Sequence, residues 1–391
     1  MPTDLVGPVD VGPVAHGGHC VARHEGRVIF VRHTLPGERV MIEITDRSHD
    51  RFWRGDAVQV IEPAAGRVTP PCPIAGPGLC GGCDFQHVDL ATQRDLKRRV
   101  VAEQLERLAG LTWDGVVEPV GDGDGLGWRT RMRYHAVHDQ HGGTGRVGLR
   151  AHRSDRVIEL PPDGCRIAAP PLRVPPPVPE DELVGVAAGD QVVWAGGDHP
   201  AGTVRERAVS REFTVAVGGF WQAHAAAPRV LADAVLDGLA PEAGETAFDL
   251  YCGVGLFAAA LYDRGCAVTG VEGNKPAVEL ARRNLADAGS RVRFVAGSVD
   301  RVLDRPARRG GLADRTDLIV LDPPRTGAGR KAITGLARRR PRAIAYVACD
   351  PAALARDLGY LAKEGFQLKS LRAFDLFPMT HHIECVAILH P

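Results

Sequence analysis

The sequence predicts three parts: a small OB-like β-barrel, a β-rich central region and a doubly wound α/β domain. Three observations predict them. Residues 1–63 hold short strand patterns cut by tight turns. Residues 64–215 carry a cysteine-rich loop and then strand-like stretches broken by prolines. From 216 to 391 helix and strand patterns alternate, the signature of a mostly parallel sheet covered on both faces.

At 391 residues the chain is long enough for two or three domains. Lys+Arg and Asp+Glu balance at 48 each, so any face for nucleic acid has to be local. The first thirty residues lack a charged segment followed by an apolar one, and no run of eighteen apolar residues occurs. A soluble, cytoplasmic protein without membrane contact is expected.

In the first part, Arg27-Val28-Ile29-Phe30-Val31 and Val40-Met41-Ile42-Glu43-Ile44 alternate as half-buried strands do. Gly17-Gly18, Glu25-Gly26, Pro36-Gly37 and Gly55-Asp56 supply the turns. Arg51, Phe52, Trp53 and Arg54 fit RNA stacking, and fit a barrel rim equally well.

Cys72, Cys80 and Cys83 follow, with Gly81-Gly82 letting the backbone fold tightly. In a cytosolic chain this clustering argues for metal rather than disulfides. A tetrahedral thiolate set needs a fourth ligand, and Cys165 is the best candidate; zinc and iron–sulfur suit such a set equally. Next, Gln93 to Leu108 reads as a helix with Leu96, Val100, Val101, Leu105 and Leu108 on one stripe, beside basic Lys97-Arg98-Arg99. The stretch Trp128–Tyr134 places Arg129, Arg131 and Arg133 on one strand face. A phosphate-facing stripe and a salt-bridged surface strand are both open readings.

In the last part, Asp249-Leu250-Tyr251-Cys252-Gly253-Val254-Gly255 ends a strand in a glycine turn. Glu272, twenty-three residues after Asp249, ends the next strand, where a carboxylate accepts ribose hydroxyls. The pattern is not GxGxxG and suits a nucleoside better than a pyrophosphate. Asp322-Pro323-Pro324 then forms a rigid loop after a strand, making S-adenosylmethionine the best cofactor. Cys349 follows the apolar run Ala343–Ala348, with Asp350 as N-cap and Pro351 as first helical residue. A helix dipole there favours thiolate; a small buried hydrophobe is the bland alternative. Glu384 enters the last strand toward the same crevice.

These residues carry a resemblance. Phe220-Trp221-Gln222, Asp249–Gly253, Asp322-Pro-Pro-Arg325, Cys349-Asp-Pro-Ala and His382–Val386 resemble the RNA (uracil-5-)-methyltransferase family. The stretch from Gly26 to Val40 resembles its TRAM domain, an RNA-binding barrel. The resemblance implies a class I methyltransferase domain and a structured rRNA or tRNA as partner; a monomer is expected. It implies Gln222, Tyr251, Gly253, Glu272 and Asp322 at the cofactor, Cys349 as nucleophile and Glu384 as general base. In members bearing the cysteine cluster it implies a 4Fe–4S centre on Cys72, Cys80, Cys83 and Cys165, rather than zinc. This chain departs from the family at His224, Asp350 and Gly297-Ser298, and in the seven-residue gap after Cys72. A carboxylate at Asp350 is expected to raise the thiol pKa, opposing the dipole.

Uracil carbon-5 is too weak a nucleophile to take a methyl group unaided. Thiolate addition at carbon-6 creates the enolate, and a base then removes the carbon-5 proton. The target base must leave its stack to meet both groups. Two rival functions are an amino-group methyltransferase without covalent catalysis and a non-catalytic RNA-binding factor. Arg325 stands where the first wants an aromatic residue, and retention of Cys349 with Glu384 opposes both.

Overall fold

The computed structural model describes residues 5–121, 123–138, 144–177, 181–196 and 202–391. Leu5–Val14, Cys20–His24, Arg27–Arg32, Arg39–Asp46 and Phe52–Glu62 close into a barrel in the order first, second, third, fifth, fourth. The third and fifth strands pair parallel and the fifth and fourth antiparallel, as in an OB fold. Ile29, Val31, Val40 and Ile42 are fully buried because alternate side chains point into the lumen. Buried Glu38 accepts hydrogen bonds from Thr34, the Leu35 and Ala64 amides, and Arg67, which fixes the barrel to the segment that follows.

The helix Leu90–Ala109 starts at Asp89, whose carboxylate accepts the Thr92 amide at 2.9 Å, and stops at left-handed Gly110. Its buried stripe includes Leu96, Lys97, Val101 and Leu105. Leu108, expected on that stripe, is instead 48% exposed, because the last turn projects into solvent. The helix packs on Pro351–Lys363, far along the chain.

The central strands Arg131–His138, Thr144–Arg150, Val157–Glu159, Glu182–Ala188 and Gln191–Ala195 form one antiparallel sheet. Thr203–Ala208 and Arg211–Ala216 form a separate ribbon. The arginine stripe is mostly neutralised: Arg131 pairs with Glu206 at 3.3 Å and Arg133 with Glu182 at 2.7 Å. Of the two readings, the ion-paired strand describes these two, while Arg129 lines a cleft described below.

The C-terminal sheet has eight strands in the order Val292–Ala296, Ala267–Glu272, Thr246–Leu250, Leu318–Leu321, Ala343–Ala348, Glu384–His390, Gln367–Asp375, Val117–Pro119. The first five run parallel. Successive residues feed opposite cores. Ala343, Ala345 and Val347 pack toward Leu231 and Ala258; Ile344 and Tyr346 pack toward Val101, Ile333 and Leu354. Two sequence-remote pieces, the helix Leu90–Ala109 and the strand Val117–Pro119, thus lie with this sheet. Lys97, read from sequence as one of a basic run, points inward and pairs with Asp375 at 2.6 Å, both side chains almost wholly buried.

Candidate active site

Parallel strands end together, and their carboxyl ends open onto one cleft of about 1280 Å³. Gln222, Tyr251, Gly253, Glu272, Asp322, Cys349 and Glu384 all line it, so the predicted cofactor and catalytic residues are brought together.

The first loop is tightly determined. Gly255 precedes the helix Leu256–Asp263 at φ 96°, and a Cβ there would lie 2.9 Å from Leu285, so glycine alone fits. Tyr251 is also left-handed, at φ 65°, a conformation rare for an aromatic residue and concentrated at functional sites. Fully buried Asp249 accepts the Ala258 amide at 2.8 Å and holds the helix start; burial pushes its carboxyl up to about 8. Glu272 accepts the Gly253 amide at 3.0 Å and the Asn274 amide at 2.6 Å, which presents its remaining lone pairs to the cleft. Ser298 and Asp300 also line the cleft and bond to each other. Of the departures, Ser298 therefore lies at the site. His224 does not line the cleft: its Nδ1 accepts the Ala226 amide at 3.1 Å and its ring stacks on Trp128.

Just beyond the cleft, Asp350 accepts the Ala353 amide at 2.8 Å, the N-cap expected for Pro351–Lys363. Cys349 sits between this cap and the strand. Burial and neighbouring carboxyls work against the expected dipole effect on the thiol. Its pKa is pushed up to about 12, first by burial, then by Glu384, Asp322 and Asp350, with Arg325 opposing. Desolvation and three carboxyls thus act against the helix terminus. Burial likewise pushes Asp322 up to about 7 and Glu384 well above its ordinary value. Glu384 starts the neighbouring antiparallel strand: Ala348 lies opposite Cys385, and Cys349 and Glu384 are the residues adjoining that pair.

Several residues of this wall make contacts that the sequence did not announce. Arg325 donates to His382 Nε2 at 3.1 Å, and burial with these neighbouring cations holds His382 down to about 3. His381 Nδ1 bonds Asp84 at 2.6 Å, which joins the cysteine loop to the catalytic strand. Phe220, named only within a motif, projects into the cleft mouth at 75% exposure.

The four cysteines predicted as metal ligands, Cys72, Cys80, Cys83 and Cys165, are all buried and line one cavity of about 300 Å³. Two of the sulfurs accept N–H bonds, Cys80 from the Gly82 amide at 3.4 Å and Cys83 from Gln86 at 3.1 Å. Four thiols on one cavity with donors aimed at sulfur fit a thiolate-bound centre in chemistry. No group of three or more His, Cys, Asp or Glu poised for a metal ion occurs among the described residues.

The tRNA (Uracil-5-)-methyltransferase family profile matches residues 203–391, and the TRAM domain profile matches residues 6–58. An uncharacterized RNA methyltransferase of Streptomyces coelicolor is 48% identical over 100% of this chain and 94% of its own length. A 23S rRNA (uracil(1939)-C(5))-methyltransferase of Alkalilimnicola ehrlichii is 32% identical over 96% of this chain and 94% of its own. The crystal structure of a Pyrococcus abyssi tRNA (uracil-54, C5)-methyltransferase in complex with S-adenosyl-L-homocysteine superposes with a TM-score of 0.72. It is 21% identical, covering 97% of this chain and all of that one, and it shows the shared fold. Barrel, sheet order, cleft and relatives agree: the chain belongs to the RNA (uracil-5-)-methyltransferase family, S-adenosylmethionine-dependent enzymes, and carries a TRAM domain.

Proposed function

We propose that this enzyme forms 5-methyluridine in a structured RNA through a covalent Cys349 adduct. The observation that carries the reading is that Cys349 and Glu384, next to the Ala348–Cys385 register pair, line the same cleft as Gln222, Tyr251, Gly253, Glu272 and Asp322. S-adenosylmethionine supplies the methyl electrophile when bound. Glu272 would hold the ribose, Asp322 and Gln222 would hold polar groups, and Tyr251 and Gly253 would shape the loop around the nucleoside. Cys349 adds as thiolate to uracil carbon-6, which raises electron density at carbon-5. After carbon-5 takes the methyl group, Glu384 removes its proton and the Cys349–carbon-6 bond breaks. A carboxyl raised by burial is a stronger base once ionised, as this step requires.

The ribosomal substrate named for the Alkalilimnicola relative, at 32% identity over nearly the whole chain, makes 23S rRNA the first RNA to test. The family profile favours tRNA as the second. Trapping with 5-fluorouracil-substituted RNA tests the covalent step, because fluorine at carbon-5 cannot leave as a proton does. A stable protein–RNA adduct is expected from the natural chain and none from Cys349→Ala. Cys349→Ala is expected to bind S-adenosylmethionine within a few-fold of normal. Continued 5-methyluridine formation by that variant would remove the covalent mechanism.

Cys72, Cys80, Cys83 and Cys165 are assigned a 4Fe–4S cluster with a structural role. The shared cavity and the N–H donors at sulfur support it. Such a cluster would cross-link the cysteine loop to the central region, and methyl transfer moves no electrons. Anaerobically purified protein is expected to contain iron and sulfide, and Cys165→Ser to lose both and to weaken RNA binding more than cofactor binding. Stoichiometric zinc without iron would overturn the cluster and keep the four ligands.

A further inference from the structure

The barrel reaches the residue that follows the nucleophile. The turn between its first two strands contains Gly17 and Gly18 at φ 92° and 77°, and a Cβ at Gly18 would lie 2.6 Å from the His381 Cβ. Glycine is what lets this turn dock so closely on the catalytic wall. Docked there, His16 Nε2 meets Asp350 Oδ2 at 3.1 Å. The other carboxylate oxygen of Asp350 accepts the Ala353 amide. Asp350 therefore serves the helix with one oxygen and the barrel with the other. His16, Cys349 and Asp350 line one narrow crevice between barrel and catalytic domain, of about 40 Å³.

Capping alone does not need this charge, since Asn caps a helix as well as Asp. An ionised carboxylate adjacent to a thiol that must ionise works against catalysis. The groups already acting on Cys349 are Glu384 and Asp322, which oppose the thiolate as Asp350 does, and Arg325, which favours it. Lys97, His381 and His382 also line the crevice. His16 faces Asp350 closely and Glu103 from farther away.

We infer that His16 is a positioning residue for the reaction proposed above: as imidazolium it neutralises Asp350, which lets Cys349 ionise and makes the barrel part of the active site. The contact raises the His16 pKa and lowers that of Asp350. The ion pair is therefore complete above the Asp350 pKa and is lost as pH rises through that of His16. Above that point Asp350 stands as an uncompensated charge beside the thiol. The inference rests on Cys349 acting as a thiolate.

Its test needs neither RNA nor cofactor. Cys349 is the one cysteine of nine that is not buried among the described residues, so iodoacetamide labelling of its peptide, followed by mass spectrometry, reports its thiolate directly. At pH 7, His16→Gln in the full chain is expected to slow labelling about threefold, the effect of half a pKa unit. Asp350→Asn is expected to label at least as fast as the natural chain, and the double variant to match Asp350→Asn, which excludes a folding defect in the single one. Unchanged labelling in His16→Gln would overturn the inference. So would a double variant as slow as His16→Gln. If labelling responds as expected while Cys349→Ala still methylates RNA, the covalent reading fails and the pair stands.

Discussion

Cys349 stands one residue past Ala348 and Glu384 one residue before Cys385, and Ala348 and Cys385 are register partners on neighbouring antiparallel strands. The sheet therefore brings the chain to these two positions side by side, with Cys349 in the bend just past its strand.

The first expectation concerns the base. Glu384→Gln keeps the shape of the side chain but cannot take the carbon-5 proton. With substrate RNA and S-adenosylmethionine, a covalent protein–RNA species should accumulate on denaturing gels while turnover falls at least a hundredfold, within the range of a lost general base. Normal turnover without the adduct would transfer the role to His381 or His382, whose rings stand 4.1 Å apart beside the cleft.

A second expectation follows from the thiol. With its pKa raised to about 12, the thiolate fraction grows about tenfold per pH unit below that value. Iodoacetamide labelling of Cys349 in the free enzyme should thus climb between pH 7 and pH 9 without a plateau. A bound sulfonium carries a positive charge, so a non-reactive sulfonium analogue should speed labelling at fixed pH and S-adenosylhomocysteine should not. A plateau below pH 8 would show that the helix terminus, rather than burial and the carboxyls, controls the thiol.

Stability provides a third. The Lys97–Asp375 pair is buried on both sides, so Lys97→Met leaves Asp375 uncompensated and should destabilise the fold by about 3–5 kcal/mol. Adding Asp375→Leu should restore most of that loss. Urea denaturation of the three variants measures both, and a loss below about 1 kcal/mol in Lys97→Met would contradict the buried ion pair.

The barrel carries the fourth. Arg27 and Arg47 lie over the Trp53 ring at 4.7 Å and 4.1 Å, and Phe52 stacks on His49. Guanidinium-flanked aromatic rings are built to stack on unpaired bases. Trp53→Ala should weaken RNA binding by about 1–3 kcal/mol and leave S-adenosylmethionine affinity unchanged. Equal RNA affinity in a filter-binding titration would reduce the cluster to a barrel rim.

Much of this was legible in the chain. Barrel strands such as Arg27–Arg32 show their alternation, and Asp350-Pro351 announces a helix start that the Ala353 amide bond completes. Cleft-lining positions such as Gly253, Glu272 and Asp322 were legible because strand ends and glycine turns mark them in the local sequence, whereas Gln222 came only with the family resemblance. What stayed hidden depends on contacts between distant segments. Lys97 reads as part of a surface run, since its partner lies 278 residues away. His16 and Asp350 are separated by 334 residues and Asp84 and His381 by 297. The strand Val117–Pro119 has three residues, too few to show a period.

That short strand decides how the chain divides. It pairs parallel with Gln367–Asp375 through Ala373, Phe374 and Asp375, covering what is otherwise the open margin of the sheet. A fragment beginning at residue 216 would lack this cover and the helix bearing Lys97. It would present unpaired backbone along Gln367–Asp375 and an orphaned Asp375, conditions that promote strand-to-strand aggregation. The methyltransferase half is therefore not a portable module: N-terminal residues complete it, and grafting it onto another RNA-binding domain would require carrying residues 90–119 along.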